Sequence, residues 1–390
     1  MMPRIAILGP FETAPLLPFL DPRRVPADLP RGMGGSCLVN LVLARLRRGW
    51  PTDVITLDPT ATTAIQRIDG ELVRLWIIRR RTRRALRDGY ASEVAGLVAA
   101  LRESRPAVCH ANWTYEYGRA ALAQATAPAV ITVHDHAARM LRHLGWRYAP
   151  HYLMSRAVIA RAPRCTAVSP HIAAYVNRLR RDASPVIPNL VPEPPALPPF
   201  TPDPDQPQVI SLLTWANFRN ATTALRAFAR FRRRHPRAVY ILAGPGFEPE
   251  GPAEHWAIGH RLAEGVLFLG RIPYPAALEV ITRATVLLHP SLEESFGAPI
   301  AEAMALRIPV IAAREAGGPA WLCEHGHGIL VPGRSVAAMD DALERAWSSW
   351  SDPAGPAARA AAHDHILARC GAEPVLAAWN NLYRSLLDAA

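Results

Sequence analysis

The chain has 390 residues, half of them hydrophobic, and a formal net charge of +11. All 44 basic residues are Arg, so the chain lacks the Lys that a pyridoxal phosphate enzyme needs for its Schiff base and a Walker A loop needs for phosphate. Both classes of enzyme are therefore excluded, and five scattered Cys without a CxxC pair favour neither a zinc site nor a disulfide framework.

The length predicts two domains, because it exceeds what one α/β core usually holds. No run of about 18 apolar residues occurs, which argues against a transmembrane helix. The start of the chain, RIAILG at 4–9, is a short strand without the features of a signal peptide. We therefore expect a cytoplasmic protein, with a peripheral position on the inner face of the membrane as a further option.

In the first half, short apolar runs alternate with helical patterns, which is typical of a parallel sheet with right-handed crossovers. The predicted strands are 4–8, 53–57, 72–78, 107–111, 130–134 and 166–169, and the predicted helices are 37–48, 91–102 and 115–125. Ligands of such sheets bind beyond the carboxyl ends of the strands.

Two features lie at such positions. The loop Gly32-Met33-Gly34-Gly35-Ser36 precedes the first helix, and its glycines allow backbone amides to approach a phosphate or an acceptor closely. A plain tight turn is the alternative. His134 ends the strand 130–134, where it is able to reach a ligand or to serve as a hydrogen-bonded structural residue, and the neighbouring Asp135 and His136 compete for the same role.

Positive charge is concentrated in the first half, where residues 1–189 carry a net +14 and residues 190–390 a net −3. The densest run is 79–84, RRRTRR, which follows Trp76. Arginines beside an exposed Trp suit an anionic membrane surface. A merely solvated basic helix is the rival interpretation, and nucleic acid is not favoured because no recognition motif accompanies the charge.

A Pro-rich linker is predicted at 190–207. Asp203 and Asp205 within it mimic a DxD metal motif but lack the strand-end geometry that focuses two carboxylates on a cation, so no metal site is predicted. Strands follow at 209–214, 239–243, 266–269, 286–289 and 310–313, and the chain closes with helical patterns at 337–347 and 374–387. We interpret Asp340-Asp341 on the first of these helices as a solvated face.

The most informative segment is 287–332, where Glu294 and Glu302 stand eight positions apart around a turn at 295–297. Pro299 is predicted as the first residue of a helix, with Glu302 in its first turn. The free N–H groups of a helix start attract phosphate, and a carboxylate accepts hydrogen bonds from sugar hydroxyls. The segment therefore predicts an anionic, polyhydroxyl ligand. The alternative interpretation is a surface turn with two solvated carboxylates and no ligand.

This segment resembles the E-x7-E donor motif of the retaining glycosyltransferases of family 4, which use nucleotide sugars. The resemblance implies the GT-B fold, an α/β architecture of two Rossmann-like domains that face a cleft. It implies an N-terminal acceptor domain at 1–189, a linker at 190–207, a donor domain at 208–372 and a C-terminal helix at 373–390 that crosses back to the first domain.

Site roles follow from the resemblance alone. Gly34 and Gly35 would face the donor diphosphate, His134 of a TVH motif would lie beside the transferred sugar, and His110 would be structural or on the acceptor side. Arg219 aligns with the Lys that neutralises the diphosphate. The remaining donor residues implied are Gly244, Arg271, Ile272, Glu294, Ser295, Phe296, Gly297 and Glu302, with Glu294 as a catalytic partner of His134.

Two departures from the family pattern stand out. The usual Gly-Arg pair before the diphosphate cation is replaced by the region 214–217, and Trp321 occupies a position where many relatives have Glu. Loss of the second cation puts the strength or the geometry of diphosphate binding in doubt.

The resemblance implies transfer of a sugar, with retained anomeric configuration, from a UDP- or GDP-sugar to a hydroxyl of a saccharide, a lipid-linked or a small-molecule acceptor, in cell-envelope polysaccharide or glycolipid synthesis. No cofactor and no metal are expected. Two alternatives stay open: a non-catalytic GT-B scaffold that binds nucleotide or lipid, and a GT-B nucleotide-sugar epimerase or hydrolase.

Overall fold

The computed structural model describes residues 2–83, 85–193, 202–203 and 205–389. The chain forms two compact units: unit 1 comprises Met1–Leu190 and Ala372–Ala390, and unit 2 comprises Val191–Gly371. Arg84 of the predicted basic run and the linker residues 194–201 and 204 lie outside the described residues. Within the described ranges, no helix combines the length and apolarity that crossing a bilayer requires.

Unit 1 contains a seven-stranded sheet flanked by helices. Its strands are β1 (Ile5–Leu8), β2 (Thr52–Asp58), β3 (Ile65–Asp69), β4 (Val73–Arg79), β5 (Val108–Asn112), β6 (Ala129–Val133) and β7 (Cys165–Ala167), in the order β3-β4-β2-β1-β5-β6-β7. Its helices are α1 (Ser36–Arg47), α2 (Ala91–Ser104), α3 (Glu116–Ala123), α4 (Ala137–Leu144), α5 (Ala149–Arg161) and α6 (Pro170–Asn177). All pairs are parallel except β3 with β4.

Unit 2 contains a six-stranded, fully parallel sheet. Its strands are β8 (Gln208–Leu212), β9 (Val239–Ala243), β10 (Val266–Gly270), β11 (Val286–His289), β12 (Val310–Ala313) and β13 (Ile329–Val331), in the order β10-β9-β8-β11-β12-β13. Its helices are α7 (Ala221–Arg234), α8 (Pro252–Gly259), α9 (Tyr274–Thr282), α10 (Ala298–Ala305), α11 (Gly318–Leu322), α12 (Val336–Ser348) and α13 (Gly355–Cys370). The predicted pair of Rossmann-like α/β units is confirmed.

The strand orders determine where a ligand is expected. Central strands such as β1, β5 and β11 are buried along their whole length because both faces of a parallel sheet are covered by helices. The chain order reverses between β1 and β5 in unit 1, and between β8 and β11 in unit 2. The loops that follow those four strands therefore flank the usual ligand position of an open α/β sheet.

The last helix, α14 (Ala372–Asp388), packs on unit 1 rather than on the unit that precedes it in the chain. Its Trp379 and Tyr383 belong to the core of unit 1. His110, fully buried in β5, has its Nδ1 2.8 Å from the Tyr383 hydroxyl and its Nε2 2.8 Å from Thr132 Oγ1. With both ring nitrogens occupied, His110 joins β5 to α14, which agrees with the structural role among its two predicted roles.

Two expectations about charged surfaces are wrong. Trp76 is 1% exposed inside β4, so the predicted exposed Trp beside the basic run does not exist. Within that run Arg80 pairs with Glu116 at 3.7 Å, and Arg81 pairs with Asp88 and Glu93 at 2.8 and 2.7 Å.

Of the two aspartates predicted as a solvated face, Asp341 is exposed as expected, whereas Asp340 is buried. Its carboxylate accepts a hydrogen bond from Arg234 Nη2 at 2.7 Å, which links α12 to the end of α7. The sequence pattern correctly predicted that Asp340 lies on a helix. It could not show that Arg234 on another helix pairs with the Asp340 carboxylate at a buried position.

Candidate functional site

Arg219, Glu294 and His289 meet at the carboxyl ends of β8 and β11, where the strand order of unit 2 reverses. Arg219 ends a 3-10 turn after β8, and Glu294 lies in the loop after β11. Arg219 Nη1 donates to Glu294 Oε2, and His289 Nε2 lies 3.2 Å from the same oxygen. A cation and a carboxylate thus occupy the position where this class of sheet binds ligands.

Backbone contacts fix the two loops against each other. The Leu292 amide donates to the Phe218 carbonyl at 2.8 Å. Asn220, whose φ of +59° is left-handed, donates from Nδ2 to the carbonyls of Pro290 and Gly333 at 3.0 and 2.6 Å. Neither Asn220 nor His289 was predicted as a site residue, although the position of His289 at a strand end is a signal in the sequence.

The environment of Glu294 keeps it ionised. Burial alone would raise the pKa of Glu294, but the Arg219 charge and the His289 hydrogen bond outweigh burial and lower the pKa to about 2. At neutral pH this carboxylate is therefore an acceptor of hydrogen bonds only, which suits sugar hydroxyls.

Three buried polar atoms beside this pair have no hydrogen-bond partner among the described residues: Arg219 Nε, His289 Nδ1 and Ser291 Oγ. Buried polar groups in folded proteins are nearly always hydrogen-bonded, so such a group calls for an explanation. Two of them belong to Arg219 and His289, and the third lies between His289 and Glu294 in the chain, so we interpret these loops as a site that a polar ligand completes.

The turn at 295–297 has a well-defined backbone. Gly297 adopts a φ of +94°, which glycine adopts without strain, and α10 begins at Ala298. The Glu294 amide donates to the Ala316 carbonyl at 2.9 Å and the Gly318 amide to the Glu294 carbonyl at 2.9 Å. A Cβ on Gly318 would lie 2.5 Å from the Ser295 carbonyl oxygen, so this close approach requires glycine.

The helix register differs from the prediction by one residue. Pro299 is the second residue of α10 rather than the first, and Glu302 lies in the second turn rather than the first. Pro299 has no N–H group, and the Ile300 and Ala301 amides donate to the Gly297 carbonyl at 2.9 and 3.2 Å, so Ala298 carries the amide that this first turn offers to a ligand. Glu302 faces a different environment from the helix start.

Glu302 is buried and its environment is the opposite of that of Glu294. Its Oε1 accepts a hydrogen bond from the Tyr274 hydroxyl at 3.0 Å, where Tyr274 begins α9. Burial raises the pKa of Glu302 to about 7 despite that hydrogen bond. At neutral pH the motif thus contains a charged Glu294 carboxylate and a Glu302 carboxyl group close to its pKa. Tyr274 is a further site residue, which was not predicted from the sequence.

The remaining residues implied in unit 2 line neighbouring turns. Gly244 follows β9 with a φ of +128°, and a Cβ there would lie 2.0 Å from the Leu213 carbonyl oxygen. The Trp215 amide donates to the Pro245 carbonyl at 2.8 Å, so the segment that departs from the family pattern pairs with this turn. Arg271 is exposed and Ile272 half-buried just after β10.

In unit 1, His134 follows β6 and lies beside the end of β5. Its Nε2 is 2.9 Å from Asn112 Oδ1, and its ring stacks on Trp113 with centroids 4.1 Å apart. Asn112 Nδ2 donates to the Leu8 carbonyl, so Asn112 Oδ1 is the acceptor and His134 Nε2 carries the proton. Burial lowers the pKa of His134 to about 3, which leaves a neutral ring whose Nδ1 accepts a hydrogen bond.

The glycine loop of unit 1 forms the start of α1. Gly35 caps the helix with a φ of +93°, and a Cβ there would lie 2.0 Å from the Pro10 carbonyl oxygen. Gly34 also has a left-handed φ of +87°, but a Cβ there would meet nothing within 4 Å. The turn itself therefore requires Gly35, whereas Gly34 borders open space.

No group of three or more His, Cys, Asp or Glu side chains suited to a metal ion occurs among the described residues. Asp203 and Asp205, which mimic a DxD motif but were not predicted to bind a metal, both pair with Arg237, at 3.3 and 3.2 Å.

The predicted site residues are divided between the two units. Residues 219, 294 and 302 belong to unit 2, and residues 34, 35 and 134 belong to unit 1.

Two family models match the chain: "Glycosyl transferases group 1" over residues 198–362 and "Glycosyl transferase 4-like domain" over residues 34–190. Among curated proteins, the chain is similar to D-inositol 3-phosphate glycosyltransferase of Kribbella flavida, with 34% identity over 127 residues, or 30% of each chain. The match thus spans less than a third of that relative's length.

Among solved structures, sucrose-phosphate synthase from Thermosynechococcus elongatus is similar with a TM-score of 0.76 at 21% identity, covering 100% of both chains. Anabaena HepE in complex with UDP-glucose is similar with a TM-score of 0.68 at 17% identity, again over 100% of both chains. At these identities the similarity establishes the fold, and it fits the expected GT-B architecture.

Proposed function

We propose that this chain, which belongs to the group 1 glycosyltransferases, transfers a sugar from a nucleoside-diphosphate sugar to an acceptor hydroxyl. The anomeric configuration of the sugar is retained in the proposed reaction. The observation that carries this proposal is the Arg219–Glu294 pair at the carboxyl ends of β8 and β11, with unpartnered buried polar atoms around it. UDP- and GDP-sugars are the donor classes proposed.

Each part of the donor has a matching group in unit 2. Arg219 neutralises the diphosphate, since a guanidinium binds phosphate oxygens bidentately. The Ala298 amide and the helix dipole add partial positive charge at the start of α10. Glu294 accepts hydrogen bonds from the sugar hydroxyls, and Glu302 accepts them from the ribose, so Glu302→Ala is expected to raise the KM for the donor.

The proposed transfer occurs on one face of the sugar. The bond from the anomeric carbon to the diphosphate oxygen breaks, the acceptor oxygen bonds to that carbon from the same face, and the acceptor proton passes to the leaving phosphate. Arg219, the Ala298 amide at the start of α10 and, in the same proposal, the Gly34 and Gly35 amides stabilise the charge that grows on the diphosphate. Neutral His134 accepts a hydrogen bond from a sugar hydroxyl and positions the sugar.

We propose that no metal ion takes part. The support within unit 2 is that Arg219 and the start of α10 supply positive charge of the kind that a divalent cation would otherwise provide. Full activity in the presence of EDTA is the corresponding test, and loss of activity that added Mg²⁺ or Mn²⁺ restores would overturn this part of the proposal.

The acceptor is proposed to be a saccharide, a lipid-linked saccharide or a small polyol. One relative's name specifies inositol 3-phosphate, which makes that compound the first acceptor to test. A role in cell-envelope polysaccharide or glycolipid synthesis is part of the same proposal, and it predicts that lipid-linked acceptors support faster turnover than free sugars.

The test is proton NMR of the reaction products from α-linked UDP- and GDP-sugars, with and without acceptors. An acceptor-dependent product with an α-glycosidic linkage supports retaining transfer, whereas a β-linked product overturns retention. Donor consumption that needs no acceptor instead supports an epimerase or hydrolase. Donor binding without any consumption supports a scaffold.

A further inference from the structure

The α4–α5 hairpin of unit 1 carries an unusual combination of exposed side chains. Trp146, in the 3-10 turn between the two helices, is 80% exposed, and Leu144 and Leu153 on either side of it are 47% and 63% exposed. Large apolar side chains normally find some cover, so three of them on one packed hairpin mark an interaction surface.

The same hairpin also carries exposed arginines. Arg142, Arg147 and Arg156 are exposed on the same hairpin, and none of the three forms an ion pair within the described part of the chain. The hairpin itself, residues 137–161, contains five Arg and no Asp or Glu. The hairpin therefore presents uncompensated positive charge around an apolar tip, and we call Arg142, Leu144, Trp146, Arg147, Leu153 and Arg156 the hairpin surface.

The basic run at 79–84 offers a weaker surface. Arg80 and Arg81 are held by carboxylates of their own unit, and the nearby Trp76 is buried in β4. Only Arg79 and Arg83 of the described part of that run are exposed without an ion pair. The charge density of the sequence favoured this run, because it could not show which arginines pair with carboxylates on folding.

We propose that the hairpin surface binds the anionic phospholipid surface of a membrane. Trp is the side chain that prefers the boundary between headgroups and acyl chains, and Leu144 and Leu153 beside it gain by leaving water. Each arginine adjacent to anionic headgroups contributes about 1 kcal/mol. The proposal is independent of the transfer reaction, because it concerns binding and not turnover.

Two other occupants fit the surface less well. A nucleic acid satisfies the arginines and stacks on Trp146, but it leaves Leu144 and Leu153 without an apolar partner. A second copy of the chain covers the leucines but brings two sets of uncompensated arginines together. Anionic lipid is the occupant that satisfies both the charge and the apolar tip.

The test is sedimentation of the whole protein with vesicles of phosphatidylcholine alone or of equal parts phosphatidylcholine and phosphatidylglycerol. Wild type is expected to bind the anionic vesicles, with binding weakened by salt. Arg142→Ala with Arg147→Ala is expected to weaken it about thirty-fold, which is the loss of about five-fold for each arginine. Trp146→Ala with Leu153→Ala is expected to weaken it about ten-fold or more.

The matched control is Arg79→Ala with Arg83→Ala, which removes the same charge from exposed positions of the same unit. It is expected to bind within about three-fold of wild type, since charges away from the contact are screened. Equal losses in this control and in the hairpin variant would overturn the proposal in favour of net charge alone. Failure of wild type to bind anionic vesicles would overturn it outright.

Insertion of the tip has its own readout. Phosphatidylglycerol vesicles containing lipids brominated on the acyl chains are expected to quench part of the Trp fluorescence of wild type, and Trp146→Phe is expected to remove that part while keeping vesicle binding. Equal quenching in both proteins would contradict insertion at Trp146. Dimerisation that is lost in Trp146→Ala would instead identify a second copy as the occupant.

Discussion

Arg219 and Glu294 form an ion pair that joins the loop after β8 to the loop after β11, the two strands between which the order of the unit 2 sheet reverses. The residue proposed to bind the diphosphate is thus held by the residue proposed to bind the sugar. A bound nucleotide sugar is expected to redistribute the five N–H donors of Arg219 between Glu294 and phosphate oxygens.

We expect substitutions of Arg219 and of Glu294 to have different effects on nucleotide and nucleotide-sugar binding. Arg219→Gln is expected to weaken binding of both UDP and a UDP-sugar by about ten- to a hundred-fold, the range for a charge-assisted hydrogen bond. Glu294→Gln is expected to weaken binding of the UDP-sugar while leaving UDP binding unchanged or tighter, because Arg219 is released. Isothermal titration measures both affinities, with GDP compounds in parallel.

The control for these variants is Glu279→Gln on α9, where an exposed carboxylate pairs with Arg283 at 2.8 Å. It is expected to leave both affinities unchanged. Equal weakening of UDP and UDP-sugar binding by Glu294→Gln would contradict a contact between Glu294 and the sugar. Arg219→Lys is expected to recover part of the affinity, since it restores the charge without the planar fork.

Glu302 predicts a specific dependence of stability on pH. Its pKa is raised to about 7 in the folded protein, above its ordinary value, so the folded state keeps a proton that the unfolded chain releases. Its contribution to stability is therefore full below about pH 4 and is lost as pH rises toward about 7. Glu302→Gln is expected to gain about 2 kcal/mol or more over wild type between about pH 5 and about pH 8.

Urea unfolding of wild type and Glu302→Gln at the two pH values measures this difference, and other titrating groups cancel in the comparison. Tyr274→Phe removes the hydroxyl that donates to Glu302 and provides a second check. It is expected to raise the pKa of Glu302 further and so to enlarge the loss of stability at high pH. A pH-independent difference between wild type and Glu302→Gln would show that Glu302 ionises normally.

His134 is predicted to act in its neutral form. With a pKa of about 3 its ring does not gain charge at physiological pH, so kcat is expected to show no dependence on His134 ionisation between about pH 5 and about pH 8. His134→Ala is expected to lower kcat by about a hundred-fold with little change in UDP affinity, because it loses a contact with the sugar alone.

His136→Gln is the matched control for His134, since His136 was the neighbouring alternative in the sequence. Its ring caps α4 and stacks on Tyr175 at 4.1 Å, so its loss is expected to affect stability more than kcat. A larger fall in kcat for His136→Gln than for His134→Ala would reverse the assignment of the two residues.

A comparison of Gly34 with Gly49 separates a role in turnover from the effect of backbone strain on stability. Gly34 and Gly49 both have left-handed φ values, +87° and +71°, and a Cβ on either would meet nothing within 4 Å. Alanine at either position is expected to cost about 1 kcal/mol of stability. Only Gly34→Ala is expected to reduce turnover, by about ten-fold or more, because its Cβ would obstruct the diphosphate. Equal turnover in both variants would identify the loop as a plain turn.

The sequence predicted much of the fold because the strands are short apolar runs between turn residues. The predicted strands 239–243, 286–289 and 310–313 match β9, β11 and β12 in full. The edge strand β3 was missed because its exposed alternation, IQRID, lacks an apolar run. Helices α4, α5 and α6 were missed because α4 and α6 are short and because Gly145, Pro150, Pro163 and Pro170 interrupt the segment.

The candidate site was predictable only where a motif spans it. The spacing of Glu294 and Glu302 and the position of Arg219 could be read along the chain, but their opposite pKa shifts could not, because these depend on Arg219, His289 and burial in three dimensions. Tyr274 and Asn220 were missed for the same reason. Their contacts join residues 28 and 70 positions apart.

Sugar transfer by this chain is tested by the release of nucleoside diphosphate from a panel of UDP- and GDP-sugars, with EDTA and an acceptor mixture present. Wild type and Glu279→Gln are expected to release nucleotide from one donor class at equal rates, while Glu294→Ala releases it at least about a hundred-fold more slowly. Equal release by Glu294→Ala, or no release and no donor binding by wild type, would contradict the account.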